Sequence, residues 1–325
     1  MSGQIITLEH TSRVLAGNPL GDPAARRLPV YLPPSYDEST AYPVIWVLAP
    51  FTSWGERFFN LKAWDENIIQ RMDRLIAMDE AEPAIMAFPD CFTSLGGSQY
   101  VNSAAVGRYE DYVIEELIPF LEDQIPNTNG RRGVVGHSSG GCGALRLAMR
   151  HPGTFRAVGS HAGDMGFEWC YRPDIPAALR HLEQFDHLDD FIETIGQRDT
   201  GGKDWFPALN IVAMAACYSP GEHGEIVLPF EPYTGDLRPE VWARWLAHDP
   251  VTLAADHLDI LRDLDLLYFD CGTGDEFNLF LGARALHQVL EENGVEHRYD
   301  EFDGGHHGLN WRYEFSLPLL TRALA

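Results

Sequence analysis

Lysine is nearly absent from this chain of 325 residues, which has only Lys62 and Lys203. Arginine supplies most of the 24 basic residues, and these face 48 acidic ones, so the formal net charge is -24 at pH 7. A field of that sign repels nucleic-acid phosphates and anionic membrane surfaces, so we expect neither as a partner. A well-solvated acidic surface explains the charge, and adaptation to high salt is the alternative.

Cysteine is also scarce, and long apolar runs are missing. The five cysteines are odd in number and form no C-x-x-C pair, which argues against a disulfide framework and against a cysteine-ligated zinc site. No run of 18 apolar residues occurs, and the first residues are not a basic patch followed by an apolar segment. We therefore expect reduced thiols, no metal or other cofactor, and a cytoplasmic protein.

The 45% hydrophobic content allows a sizeable core, and its pattern predicts the fold class. Pro43 to Ala49 is a continuous apolar run, typical of a strand buried on both faces of a parallel sheet. Further strands are predicted at 4–14, 27–32, 84–88, 134–135, 155–159, 264–270 and 296–302, and helices at 64–78, 112–121, 145–149 and 279–290. Their alternation predicts one α/β domain over residues 1–325, doubly wound and mostly parallel, with an antiparallel N-terminal extension.

Residues 164–259 interrupt this alternation. The segment is rich in aromatic residues, proline and glycine, and it shows no regular period. A structureless loop of that length is uncommon in a compact domain. We therefore expect a partly helical, cap-like insertion over one end of the sheet, and not a separate domain.

A serine motif stands at the junction of a predicted strand and helix. Residues 136–140 read Gly-His-Ser-Ser-Gly, which matches G-x-S-x-G. In this context the turn raises the Ser138 hydroxyl above the sheet edge, and the next backbone amide points to where an oxyanion would form. Ser139 is the alternative hydroxyl, but it occupies the position whose amide the oxyanion needs.

A serine nucleophile needs a base, and the base needs an orienting carboxylate. After a serine on such a strand-to-helix turn, the acid and then the histidine follow along the chain, on loops after later strands. Asp275 lies in a glycine-rich turn after the strand at 264–270, with Glu276 and Asp270 as alternatives. His306 lies in the turn after the strand at 296–302; His307 is its neighbour, and a metal-binding role for this pair lacks ligands in motif spacing.

The chain resembles the esterase D and enterochelin-esterase-like group of α/β-hydrolases, which includes mycolyltransferases. The matching segments span nearly the whole chain: residues 30–36, 42–48, 136–141, 271–275 and 304–306. The resemblance implies an α/β-hydrolase fold in which Ser138 is the nucleophile, Asp275 the acid and His306 the base. It also implies a small-molecule ester as the substrate.

The chain departs from these relatives at the first oxyanion donor. They commonly place His-Gly or Asp-Gly where this chain has Ala49 and Pro50, and proline has no amide hydrogen. The resemblance then implies that the amides of Phe51 and Ser139 form the oxyanion hole.

The substrate pocket is predicted from aromatic and polar residues on loops expected around Ser138. These are Trp54, Tyr100, Asn102, Asp164, Glu168 and Trp169. Such walls suit small uncharged esters, including aromatic or sugar-linked ones, although the aromatic residues could equally pack the insertion's own core. The expected activity is serine carboxylic ester hydrolysis through an acyl-enzyme. The alternatives are acyl transfer on the same triad and a catalytically silent binding protein; the natural ester and the oligomeric state are not predicted.

Overall fold

The computed structural model describes residues 2–34, 36–197 and 202–325. Residue 35 of the family-like segment 30–36 and residues 198–201 of the predicted insertion lie outside the described residues. The described strands are β1 (Gln4–Thr11), β2 (Ala25–Leu32), β3 (Tyr42–Leu48), β4 (Ile85–Ala87), β5 (Asn102–Ser103), β6 (Gly107–Arg108), β7 (Thr128–His137), β8 (Ala157–His161), β9 (Leu266–Gly272) and β10 (Arg298–Phe302).

Eight of these strands form one mixed sheet in the order β1-β2-β4-β3-β7-β8-β9-β10, and β5 pairs with β6 separately. β1 is antiparallel to β2, and β2 is antiparallel to β4. The remaining neighbours in the large sheet are parallel. The predicted mostly parallel α/β fold with an antiparallel N-terminal extension is therefore confirmed.

Helices occupy both faces of the sheet. The described α-helices are α1 (Ile68–Ala77), α2 (Tyr109–Asp111), α3 (Ile118–Gln124), α4 (Ser139–Arg150), α5 (Phe167–Cys170), α6 (Ile175–Leu182), α7 (Leu188–Ile192), α8 (Trp205–Tyr218), α9 (Pro239–Leu246), α10 (Pro250–Asp256), α11 (Leu258–Arg262), α12 (Leu279–Glu292) and α13 (Tyr313–Leu324). A π-helical segment, Tyr112–Leu117, joins α2 to α3. None of these helices is long and apolar enough to span a bilayer.

The position of β3 in the sheet explains why its sequence is apolar throughout. Side chains alternate between the two faces of a strand, and helices cover this sheet on both faces. Val44 and Trp46 therefore join the core beneath α4 and α12, whereas Ile45 and Val47 join the core beneath α1 and α13. All seven residues of β3 are buried.

Residues between β8 and β9 include the predicted insertion, and the described part holds helices α5 to α11. Within α8, every residue from Ala208 to Tyr218 is buried, so this helix forms core and not a surface flap. That the segment acts as one cap-like insertion stays a prediction.

A buried carboxylate ties α2 to the end of α4. Glu110 accepts hydrogen bonds from Arg150 Nε and from His151 Nε2, both at 2.9 Å. Burial alone would raise the pKa of Glu110, but the bonds from His151 and Arg150 outweigh burial and lower this pKa to about 2.

Parallel strands β7, β8, β9 and β10 are neighbours, so their carboxyl ends lie along one edge of the sheet. Ligands in such folds bind outside this edge. Ser138 follows β7, Asp164 follows β8, Asp275 follows β9 and His306 follows β10. The topology therefore collects these four side chains from distant parts of the chain.

Candidate active site

Ser138 lies on a strained turn between β7 and α4. Its backbone has φ 57° and ψ -126°, a conformation that a non-glycine residue adopts only when its surroundings enforce it. A Cβ on Gly140 would lie 2.2 Å from the carbonyl oxygen of Leu48, and one on Gly136 would lie 2.3 Å from the carbonyl carbon of Gly140. The two glycines of the motif are therefore required for the close packing of α4 on the sheet.

Ser138, His306 and Asp275 form a hydrogen-bonded chain. The distance from Ser138 Oγ to His306 Nε2 is 3.0 Å, and His306 Nδ1 lies 2.8 Å from Asp275 Oδ2. The other carboxylate oxygen of Asp275 accepts from the backbone amides of Phe277 at 2.9 Å and Leu279 at 3.3 Å. These amides, at the turn into α12, fix the acid's orientation, so the acid and the ring face each other with a defined geometry.

The loop that carries His306 is held by two neighbours. The His306 amide donates to Glu276 Oε2 at 2.6 Å, and the ring nitrogen Nε2 of His137 donates to the His306 carbonyl at 3.1 Å. Burial lowers the pKa of His137 well below its ordinary value, which keeps its ring neutral. His307 is exposed, with its ring against Phe277. Glu276 thus contacts the backbone of the loop, and Asp275 contacts the imidazole ring.

Asp270, the third candidate acid, belongs to a different network. Its Oδ2 accepts from Arg312 Nε at 2.8 Å and from the Tyr268 hydroxyl at 2.7 Å, and it lies 2.9 Å from His161 Nδ1. Burial opposes ionisation, but His161 and Arg312 lower the pKa of Asp270 nonetheless. His161 Nε2 in turn lies 2.8 Å from Ser316 Oγ. This second Ser-His-Asp array is fully buried in the core, so we assign it a structural role.

A cavity of about 250 Å³ opens above Ser138. Its aromatic wall is formed by Phe51, Phe206 and Phe277: the ring of Phe206 lies 6.2 Å from that of Phe51 and 6.4 Å from that of Phe277. The full lining is Pro50, Phe51, Thr52, Arg57, His137, Ser138, Ser139, Asp164, Cys170, Tyr171, Phe206, Asn210, Phe277, Leu279, His306 and His307. The site therefore combines a small apolar wall with one acid, one arginine and the Ser-His pair.

Three of the residues predicted for this pocket lie elsewhere. Trp54 packs its ring edge on Phe92 in a separate surface groove. Tyr100 is buried, and its hydroxyl donates to the carbonyl of Ala49 at 2.7 Å, behind the cavity wall. Asn102 donates to a carboxylate of α2 at 2.7 Å. These three predictions are corrected, because each side chain contacts another segment of the protein outside the cavity.

Two predicted residues of the insertion are corrected in the same way. Glu168 accepts from Trp242 Nε1 at 2.7 Å and pairs with Arg172. Trp169 points outward and is 42% exposed. The aromatic residues that the insertion does contribute to the cavity are Tyr171, which follows α5, and Phe206, at the start of α8. Nothing in the sequence distinguished Phe206 from the other aromatic residues of the segment.

Asp164 does line the cavity, and it touches the nucleophile candidate directly. Its Oδ1 accepts from Ser138 Oγ at 3.1 Å, and its Oδ2 accepts from Ser139 Oγ at 3.1 Å and the Tyr171 hydroxyl at 2.9 Å. Burial raises the pKa of Asp164. The single hydroxyl proton of Ser138 therefore has two neighbouring acceptors, Asp164 and His306. The sequence placed Asp164 near the pocket but gave no sign of this contact.

The expected oxyanion donors, Phe51 and Ser139, both line the cavity. Neither backbone amide donates to an acceptor within the described part of the chain. The following amide, that of Thr52, donates instead to the carbonyl of Gly96 at 2.7 Å, which pins the loop after Pro50. Two unengaged amides beside a serine hydroxyl are what an oxyanion hole requires.

Comparisons with known proteins show which family the chain belongs to. Residues 23–320 match the family described as "Putative esterase". An S-formylglutathione hydrolase of Mus musculus is 31% identical over 144 residues, which are 42% of this chain and 51% of that protein. The chain thus spans about half the length of that curated relative.

Solved structures with this fold include two hydrolases. An S-formylglutathione hydrolase from Agrobacterium tumefaciens has a TM-score of 0.63 at 15% identity, over 100% of this chain and 96% of that one. A ferulic acid esterase from Anaeromyces mucronatus, in complex with ferulic acid, has a TM-score of 0.60 at 17% identity, over 100% and 93%. At these identities the likeness shows the fold alone.

The family match spans most of the chain and confirms both the resemblance and the enzyme class predicted from the sequence. The chain therefore belongs to the "Putative esterase" family.

Proposed function

We propose that this protein is a serine carboxylic ester hydrolase that acts on small uncharged esters through an acyl-enzyme. The observation that carries the proposal is the continuous chain from Ser138 Oγ through His306 to Asp275, with distances of 3.0 Å and 2.8 Å, at the wall of a cavity. A serine hydroxyl is a poor nucleophile unless a positioned base takes its proton.

Acylation follows from these contacts. Ser138 Oγ attacks the carbonyl carbon of the ester while its proton passes to His306 Nε2, and the carbonyl π electrons move onto the oxygen. The amides of Phe51 and Ser139 donate to that oxyanion. Asp275 accepts from His306 Nδ1 and stabilises the imidazolium. When the tetrahedral intermediate collapses, the alcohol leaves with the proton from His306 Nε2, and the acyl group remains on Ser138.

Deacylation repeats these steps with water. Water attacks the acyl carbon as His306 Nε2 takes a proton from it, and the same two amides hold the oxyanion. Collapse breaks the bond to Ser138 Oγ, which regains its proton from His306. The carboxylic acid product ionises and leaves a cavity whose wall includes the carboxyl group of Asp164.

The cavity favours small acyl groups without negative charge. Its volume of about 250 Å³ lies just below the range typical of sites for drug-sized ligands, and Phe51, Phe206 and Phe277 offer flat apolar contacts. An aromatic acyl group such as the feruloyl group fits this chemistry. The S-formylglutathione hydrolase relative adds thioesters with a small acyl group to the candidates. Methyl ferulate and S-formylglutathione are therefore the first two substrates to compare with simple acetyl esters.

The experiment is hydrolysis of p-nitrophenyl acetate by the wild-type protein, Ser138→Ala and the matched control Ser139→Ala. Ser138→Ala should lose several orders of magnitude in kcat, whereas Ser139→Ala keeps its backbone amide and loses only the hydroxyl contact with Asp164. A serine-directed phosphonate should label Ser138. Labelling at Ser139, or turnover retained by Ser138→Ala, would overturn the proposal.

An added alcohol acceptor separates the other two functions. Hydrolysis predicts release of the free acid as the main product even with the alcohol present. Predominant formation of the new ester would identify an acyltransferase on the same triad. If neither the free acid nor the new ester forms, but the ester binds saturably, the protein is a catalytically silent binding protein.

A further inference from the structure

Three metal-ligating side chains meet on the far end of α12, in residues to which the esterase chemistry gives no role. His287 and Glu291 lie one helical turn apart on α12, so both project from the same face. His297 comes from the loop before β10. One ligand atom from each of the three residues lies within 4.8 Å of those of the other two. We propose that His287, Glu291 and His297 bind one Zn²⁺ ion.

The two imidazole rings already present their nitrogens to a common point. His287 Nδ1 and His297 Nε2 are 2.7 Å apart. Zinc-nitrogen bonds of about 2.0–2.1 Å in tetrahedral geometry place two ligand nitrogens roughly 3.3 Å apart. The rings therefore need to separate by only about 0.6 Å to admit the ion between them.

The tautomer of His297 suits metal binding. Its Nδ1 lies 2.8 Å from the carbonyl oxygen of Val295, and a carbonyl can only accept, so Nδ1 carries the proton. Nε2 of the neutral ring is then a lone pair aimed at His287. A ligand histidine whose other nitrogen donates to a backbone carbonyl is the usual arrangement around bound zinc.

His287 can bind the ion as a neutral ring, because its proton only has to move from one ring nitrogen to the other. In the metal-free protein its Nδ1 donates to His297 Nε2, and binding requires that this proton move through water to His287 Nε2. Nε2 has no hydrogen-bond partner in the described part of the chain, so it is free to carry the proton. Two neutral imidazoles and one carboxylate then bind the ion, and water takes the fourth position.

Both rings are held in place by aromatic neighbours. His297 stacks on Phe269 with 5.6 Å between ring centroids and 10° between the planes, and His287 lies 5.0 Å from the Tyr299 ring. Glu291 is exposed and makes no ion pair or hydrogen bond with its carboxylate in the described residues. The nearest arginine of α12, Arg284, is already paired with Glu301. A net charge of -24 further favours a bound cation.

The experiment is calorimetric titration of the chelator-stripped full-length protein with ZnCl₂. We expect one saturable equivalent, with affinity lowered at least tenfold in His287→Gln and in His297→Gln. The exposed Glu291→Gln leaves the fold untouched and should also weaken binding. His223→Gln is the matched control: His223 is an exposed histidine next to an acid, and its backbone amide donates to Glu225. It should bind zinc like the wild type.

Two further readouts distinguish a built site from loose surface binding. Co²⁺ should give the absorption bands of a tetrahedral complex in the wild type and not in His297→Gln. Zn²⁺ at a hundredfold excess over its dissociation constant should raise Tm by about 4 °C, and ester hydrolysis should not change. The proposal is overturned if wild-type protein takes up no zinc saturably, or if His287→Gln and His297→Gln both bind it as tightly as His223→Gln does.

Discussion

Replacing Asp275 by asparagine tests the proposed mechanism most sharply, because the surrounding amides dictate how the new side chain must sit. Oδ1 of Asp275 accepts from the amides of Phe277 and Leu279. The asparagine oxygen has to remain there, since an NH₂ group would face two N-H donors. Its NH₂ group therefore points at His306 Nδ1, which must then accept, and the ring proton moves to Nε2. In that tautomer His306 cannot take the proton of Ser138.

The expected loss of rate follows from the free-energy cost of rotating the asparagine side chain so that its oxygen faces His306 again. Turning the asparagine over would leave two buried amide donors unsatisfied, at about 1–3 kcal/mol each, or roughly 2–6 kcal/mol together. Since 1.36 kcal/mol is a factor of ten in rate, this alone corresponds to roughly 30- to 26,000-fold. Loss of the charge that stabilises the imidazolium adds to it. We expect kcat/KM to fall by about 10³- to 10⁴-fold for Asp275→Asn.

The assay is steady-state hydrolysis of p-nitrophenyl acetate, with Tm measured on the same samples. Glu276→Gln is the matched control, because its amide oxygen can still accept from the His306 backbone. We expect a loss of less than about fivefold, since the hydrogen bond is retained. The reasoning fails if Asp275→Asn keeps more than a tenth of its activity, or if Glu276→Gln loses as much as Asp275→Asn does.

Four other predictions concern the base, metals, the turn and acid stability. His306→Ala should abolish turnover together with the rise of kcat/KM near pH 6–7 expected for an imidazole base, whereas His307→Ala should keep that limb; the reverse result would move the base by one residue. EDTA should leave ester hydrolysis unchanged, because the serine supplies the nucleophile; a loss that zinc restores contradicts this. Gly140→Ala should destabilise the protein by about 3 kcal/mol or more in urea unfolding, since a Cβ would meet a backbone oxygen at 2.2 Å; an unchanged midpoint would refute the packing argument. Glu110 has a folded-state pKa of about 2, below its ordinary 4.5, so its contribution to stability is present above pH 4.5 and is lost as pH falls toward 2; Glu110→Gln should flatten this part of the stability curve, and an equally steep loss in the variant argues against it.

Most of the fold and the three triad candidates could be predicted, because both depend on local patterns. The continuous apolar run of β3 is typical of a buried strand, and the apolar spacing of α12 is typical of a helix. Ser138, Asp275 and His306 each follow a predicted strand in a glycine-rich turn, and parallel strands deliver such turns to one edge. The proposed assignment thus needed only the order of elements along the chain.

The cavity wall could not be predicted in the same way. Phe206 lies at the start of α8, which is apolar on nearly all sides and therefore shows no amphipathic period. Tyr100 and Asn102 were predicted because their loop was expected around Ser138, but Tyr100 donates to the carbonyl of Ala49 and Asn102 donates to a carboxylate of α2. The prediction of a helix over 112–121 did not identify the π-helical segment at Tyr112–Leu117, because a single wide turn between α-helical segments is too short to establish a period of its own.

The order of the strands requires the loop after β10 to span a long distance to reach Ser138. β7 and β10 are three strand spacings apart, or roughly 14 Å at about 4.8 Å each, yet Ser138 Oγ and His306 Nε2 are 3.0 Å apart. The loop must therefore reach back across the end of β9, where the carbonyl of Gly304 accepts from the amide of Gly274 at 2.9 Å. Edge strands are the parts of a sheet that fray first. In the proposed mechanism, ester turnover therefore depends on the order of the sheet's last strand, and release of β10 should abolish activity even while the other seven strands remain paired.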